Sequence, residues 1–139
     1  MKVLIDTNVL IDALTSREPW NKSAEQIFLF AANNSANMYI SASEATDIYY
    51  FIRKYCHDTA SAKRTMEKLY SLFGILDVMK EDCIQALASP VKDYEDAVLC
   101  EVAIRSGMDY IVTRNIKDYA NSRVQAVLPD DFIKLMIDL

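Results

Sequence analysis

Apolar residues in this chain fall into two patterns, short unbroken runs and longer stretches with a three-to-four-residue period. The short runs are Lys2-Val-Leu-Ile5, Met38-Tyr-Ile-Ser41, Ile75-Leu-Asp-Val78, Tyr110-Ile-Val-Thr113 and Gln125-Ala-Val-Leu128. Apolar runs of this length, bounded by polar residues, predict strands, and strands buried on both faces need not alternate. The periodic stretches predict helices between them: about Val9 to Ser16, Asn21 to about Asn34, Ser43 to about Tyr55, Thr59 to Phe73 and Lys80 to Ala88. A further helix opens near Asp93 and closes at Gly107, and a last one starts at Pro129. Pro19 predicts a helix boundary, Gly74 a helix C-cap, and Arg114 to Tyr119 a polar loop or single helical turn. Strands that alternate with helices in this way argue for βαβ units. The expected fold class is α/β: a single domain over residues 1–139, three-layer α/β/α, with a mostly parallel, about five-stranded sheet.

Composition narrows the class. Of 139 residues, 52% are hydrophobic and 25% charged, which suits a globular domain and excludes a disordered one. No apolar run reaches the ~18 residues of a membrane span, and polar groups follow the first strand at once, unlike a signal peptide. A cytoplasmic protein is the expectation. Cys56, Cys83 and Cys100 are far apart and odd in number, so they read as free thiols. His57 is the only histidine, at a helix end, which excludes a histidine-rich metal site. A net charge of −5 disfavours non-specific coating of nucleic acid. It is compatible with acids gathered around a divalent cation, because the ion reverses the local field.

Four acids fall at strand ends or in adjoining helix starts: Asp6, Asp47, Asp96 and Asp118. Ligands in open α/β sheets bind beyond the carboxyl ends of the strands. Asp6 stands at such an end, as ligand or as helix cap, with Thr7 or Asn8 available to cap instead. Glu44 and Asp47 lie on adjacent turns of one helix side; Glu44 also suits the helix dipole. Asp93 reads as an N-cap, and Asp96 as a first-turn acid beside the stripe Val98, Leu99, Val102, Ala103. Clustered carboxylates repel one another unless a cation neutralises them. Hard oxygen donors without histidine or paired cysteine suit Mg²⁺ or Mn²⁺ and metal-assisted phosphoryl displacement. No nucleophile elbow, Walker loop or dinucleotide fingerprint competes with that reading. Lys63, Arg64 and Lys68 read as a solvated face first and a phosphate contact second. Tyr49, Tyr50, Tyr55, Tyr70 and Tyr94 suit core, dimer contact or base stacking, with core the leading expectation.

Four segments in order carry a resemblance: Leu4-Ile-Asp6-Thr-Asn8, Ile40-Ser-Ala-Ser-Glu-Ala-Thr-Asp47-Ile-Tyr-Tyr, Tyr94-Glu-Asp96-Ala and Ile111-Val-Thr113-Arg-Asn115-Ile-Lys-Asp118-Tyr. Together they resemble a PIN domain, the family that includes the VapC-like ribonuclease toxins of prokaryotic toxin–antitoxin pairs. The resemblance implies a parallel α/β sheet, a Mg²⁺ or Mn²⁺ site of three or four acids, and hydrolysis of single-stranded RNA. By position it assigns Asp6 as the first acid and Asp96 as the third. The second, six residues after Ser41, is Asp47 where the family usually has Glu, with Glu44 able to contribute. The fourth is Asp118, with Asn115 at the alternative position. Thr113 is expected to hydrogen-bond a carboxylate and Asn8 to fix the loop under Asp6. Arg53, Lys54, Arg114 and Lys117 are the expected RNA contacts. An antitoxin partner and a homodimer are implied by the resemblance alone. The alternative is a catalytically silent PIN-like module that binds RNA or protein. A receiver-like domain fits poorly, since Asp77 lies within a strand and Pro129 follows the fifth.

Overall fold

The computed structural model describes residues 1–138. Its order is β1 (Lys2–Ile5), α1 (Thr7–Leu14), α2 (Asn21–Ala32), β2 (Asn37–Ser41), α3 (Ala42–Cys56), α4 (Thr59–Leu72), β3 (Gly74–Leu76), α5 (Lys80–Ala86), α6 (Tyr94–Arg105), β4 (Tyr110–Val112), β5 (Gln125–Val127) and α7 (Pro129–Ile137). A 3₁₀ turn, Ile116–Tyr119, joins β4 to β5. The five strands lie in the order β3-β2-β1-β4-β5, and every pairing is parallel. The three-layer α/β/α expectation holds, with the sheet fully parallel.

β1 is central because both of its faces are buried. Val3 and Ile5 face one apolar layer with α1, α2, α3, α4 and α7, and Leu4 faces the other with α6. Val3, Leu4 and Ile5 are fully buried, as a strand covered on both sides requires. The chain proceeds from β1 outward to β2 and β3, then returns to place β4 on the other side of β1. The strand order therefore reverses at β1, which opens a crevice at the carboxyl end of the sheet.

Helix starts follow the expected chemistry. Asp93 caps α6, its Oδ1 accepting from the Asp96 backbone N–H at 3.0 Å. Asp58 caps α4 in the same way. Gly107 closes the turn after α6 with φ +70°, a left-handed conformation that favours glycine. Gly74 departs from expectation. It opens β3 instead of capping α4, and Phe73, the residue before it, is extended. A Cβ at Gly74 would meet the Tyr39 ring at 2.7 Å, so close packing between β2 and β3 accounts for the glycine. His57 ends α3 at φ 57° and is exposed. The three cysteines are free, and no helix among the described residues is long and apolar enough to cross a membrane.

Candidate active site

Side chains reach the crevice from the ends of β1 and β4 and from the first turns of α3 and α6. Asp6 ends β1 and is also the N-cap of α1, with Oδ1 accepting from the Thr7 N–H at 2.8 Å. Cap and site residue are therefore one side chain. Its other oxygen, Oδ2, accepts from three groups: Thr113 Oγ1 at 2.8 Å, Asn8 Nδ2 at 3.2 Å and the Tyr119 hydroxyl at 3.2 Å. Thr113, fully buried just past β4, and Asn8 thus meet the expectations set for them. Asn8 also ties the neighbouring connection, its Oδ1 accepting from the Arg114 N–H at 3.3 Å.

Glu44 is buried at 5% exposure in the first turn of α3. Oε1 accepts from the Ser41 N–H at 2.9 Å, the reciprocal half of a capping box, and Oε2 accepts from Thr7 Oγ1 at 3.0 Å. Burial raises its carboxyl well above the usual range, and the charges of Asp6 and Asp47 push the same way. Asp6 is raised too, first by burial, against the hydrogen bonds that favour its charged form. Asp96, in the first turn of α6, is raised to about 6 by burial and by Asp6, Asp93 and Asp118.

The acids differ in station. Asp47, expected as the second acid, is exposed, and Glu44 occupies the buried place beside Asp6. The capping-box spacing of Ser41 and Glu44 makes that placement local, since the helix start itself aims Glu44 inward. Asp47 lines the same cleft of about 460 Å³, along with Asp6, Glu44, Tyr94 and Asp96. Asp118 is exposed on the 3₁₀ turn, close enough to raise both Asp6 and Asp96. Asn115 is exposed, its backbone N–H donating to Thr113 Oγ1 at 3.0 Å.

The basic residues divide. Arg114 is drawn inward onto a buried partner. Its Nε and Nη2 donate to Asp12 at 2.6 and 3.2 Å, and its guanidinium stacks on Trp20, 3.9 Å from the ring centroid. Asp12 on α1 is 1% exposed, and an uncompensated carboxylate there would be costly, so Arg114 is its counter-ion. Arg53 and Lys54 sit in the last turn of α3, about 14 Å along the helix from Glu44 at 1.5 Å per residue. Arg53 Nε donates to Thr59 Oγ1. Lys117 is exposed on the 3₁₀ turn beside Asp118.

Sequence reasoning assigned no role to Tyr119. It is 2% exposed, and its hydroxyl also lies 3.0 Å from Oδ1 of Asp96. One phenol therefore bridges the first and third acids, and burial, followed by their charges, pushes its pKa far up. A signal existed: an aromatic whose ring belongs in the core but whose hydroxyl needs a partner, directly after Asp118.

The donors are all hard oxygens, and among the described residues no ammonium or guanidinium contacts Asp6, Glu44 or Asp96. Hydroxyls and backbone N–H groups hold the three carboxylates, and among the described residues no three acids are drawn to ligating separation. Acids raised by burial and by neighbouring carboxylates, lacking a cation of their own, are the donor set that suits a hard divalent ion.

A parallel five-stranded α/β sheet with acids at its carboxyl edge defines the class. The family profile described as PIN domain matches residues 2–117, and the chain belongs to that family. Among solved structures, a toxin–antitoxin complex from Klebsiella pneumoniae has a similar fold, with a TM-score of 0.69 and 24% identity over 91% of this chain and 97% of that one. VapBC2 from Rickettsia felis, bound to a DNA fragment from its promoter, gives 0.69 and 17% over 92% and 98%. VapC20 of Mycobacterium tuberculosis, described as a sarcin–ricin-loop-cleaving toxin, gives 0.62 and 14% over 78% and 86%. No curated protein sequence matches.

Proposed function

We propose that this chain is a metal-dependent endoribonuclease that hydrolyses phosphodiester bonds of single-stranded RNA, acting as the toxin of a toxin–antitoxin pair. The observation that carries the reading is the convergence of Asp6, Glu44 and Asp96 on one cleft without a basic partner. These three would hold Mg²⁺ or Mn²⁺, with Asp118 and Asp47 at the rim. Such an ion, when bound, supplies a water of lowered pKa and neutralises charge on the phosphate.

The protein's own part is orientation. Thr113 and Asn8 fix Oδ2 of Asp6, and Thr7 fixes Oε2 of Glu44. Tyr119 holds one proton between Asp6 and Asp96. Lys117 would draw a phosphate towards the crevice. An antitoxin partner is supported by the complexes in which the similar folds occur. A homodimer and a cytoplasmic location complete the reading, on the family resemblance alone.

The test is cleavage of a fluorescent single-stranded RNA with Mn²⁺, with Mg²⁺ and with EDTA, beside Asp6→Asn. Metal-dependent cutting that disappears in the variant is expected; full activity in Asp6→Asn would sink the reading. The competing reading, a silent PIN-like binding module, drew on Asp47 as a shortened second acid. Glu44 in the buried place weakens that ground. Calorimetry that finds no Mn²⁺ binding would restore it.

A further inference from the structure

A second groove, of about 420 Å³, runs between α3 and α4, lined by Thr46, Tyr49, Tyr50, Lys63, Met66 and Tyr70 among others. Thr46 also lines the acidic cleft, so the two depressions share a wall on α3. Tyr50 is 69% exposed and Tyr70 41%. Tyr49 and Tyr50 form a T-shaped pair, with ring centroids 5.3 Å apart and planes at 85°. Large rings at one groove, as opposed to single exposed residues scattered over the surface, mark a contact site.

We infer that this groove binds a base of the single-stranded RNA substrate, stacked on Tyr50 and Tyr70, with Lys63 pairing to the adjoining phosphate. The inference rests on the nuclease reading for the identity of the strand. Three features favour a nucleotide. The groove shares Thr46 with the acidic cleft, it offers π-faces that accept any base, and it carries the Lys63 ammonium, with the Glu67 carboxylate one turn further along α4. No Tyr in the groove touches the acids, so the subsite acts on affinity and leaves the chemistry alone.

The experiment has two arms. In the first, Mn²⁺-dependent cleavage of a 20-nucleotide single-stranded RNA of mixed sequence is followed for the wild type, Tyr50→Ala, Tyr70→Ala and Tyr50→Phe. The expected result is KM raised about 10-fold in each Ala variant with kcat unchanged, and wild-type behaviour in Tyr50→Phe. In the second, anisotropy of the same labelled RNA is measured with Ca²⁺ in place of Mn²⁺, where the Ala variants should bind about 10-fold more weakly. RNA binding without cleavage, weakened by Tyr50→Ala, would retain the stacking subsite and remove the nuclease reading. Cleavage or binding unaltered by both Ala variants would overturn the subsite and leave the nuclease intact. So would a dimer in the wild type that Tyr50→Ala dissociates with RNA affinity unchanged, which would give the groove to a second copy. An absence of both binding and cleavage would overturn both.

Discussion

Tyr119 and Asp96 are joined by a 3.0 Å hydrogen bond that reaches from the 3₁₀ turn to the first turn of α6. The same hydroxyl contacts Asp6, yet it carries one hydrogen. It therefore satisfies one carboxylate at a time and screens the two from each other. Tyr119→Phe removes a hydrogen bond to a charged group, an effect of about 1.5–3 kcal/mol. The variant should melt several degrees lower than the wild type without metal at pH 7.5. Added Mn²⁺ should close most of that gap, because a cation would do the same screening. Thermal melts with and without Mn²⁺ check this; an equal deficit under both conditions would contradict it.

Glu44→Gln and Asp47→Asn separate the two readings of the second acid. Glu44 is buried beside Asp6, whereas Asp47 is exposed at the cleft rim. Glu44→Gln is expected to lower metal-dependent cleavage by at least about 100-fold, equivalent to about 2.7 kcal/mol in the barrier. Asp47→Asn should lower it by less than about 10-fold. The reverse order, measured as kcat/KM in Mn²⁺, would restore Asp47 to the principal place. Glu44→Gln should also keep its fold, since the amide oxygen can still accept from the Ser41 N–H while the new Nε2 donates to the Thr7 hydroxyl, which can accept as well as donate.

The raised acids fix the sign of a pH dependence. Asp96 titrates at about 6 in the folded chain against about 3.9 for a free aspartate, and Glu44 and Asp6 are raised as well. A carboxyl raised on folding binds its proton more tightly in the native state. Stability therefore falls as pH rises from about 4 through 6 and is highest with the acids protonated. The metal-free protein should melt at higher temperature at pH 5 than at pH 7.5 as far as these groups decide it. Saturating Mn²⁺ should flatten or invert the trend, because the ion competes with protons for the same oxygens. Melts across pH with EDTA and with Mn²⁺ test both halves.

Arg114 should act on stability. Arg114→Ala leaves Asp12, 1% exposed, with only the more distant Arg17 at 3.4 Å. Breaking a buried pair from one side costs about 3–5 kcal/mol. Chemical denaturation should show a loss of that order, with the RNA KM of the folded fraction unchanged. Lys117→Ala should do the opposite, raising KM and sparing stability.

The sheet was legible in the sequence because short apolar runs alternate with helical stretches, and those of β1 and β4 at its centre are buried on both faces as a covered parallel sheet requires, while β3 at the edge stays largely exposed. The acids were legible as a set because Asp6 stands at a strand end, Asp118 in the turn after a strand and Asp96 at a helix start. Three things were not. Periodicity placed Glu44 and Asp47 on one helix side but could not say which points inward; the bond from Glu44 to the Ser41 N–H decides that. Arg114 looked like a free cation because its partner Asp12 lies inside an otherwise apolar run of α1, far off in sequence. The Gly74 cap failed because the constraint is the Tyr39 ring on the neighbouring strand, which no local pattern records.

Asp6, Glu44 and Asp96 belong to three separate connections: the one after β1, the one after β2, and the one into α6. Hydroxyl bridges are their present link. With an ion between them they would be cross-linked as a disulfide cross-links distant loops, by a joint that a chelator can open. Metal would then govern more than turnover: its removal should also expose these connections to proteases. How long the protein survives would depend on the divalent cation around it as directly as how fast it cuts.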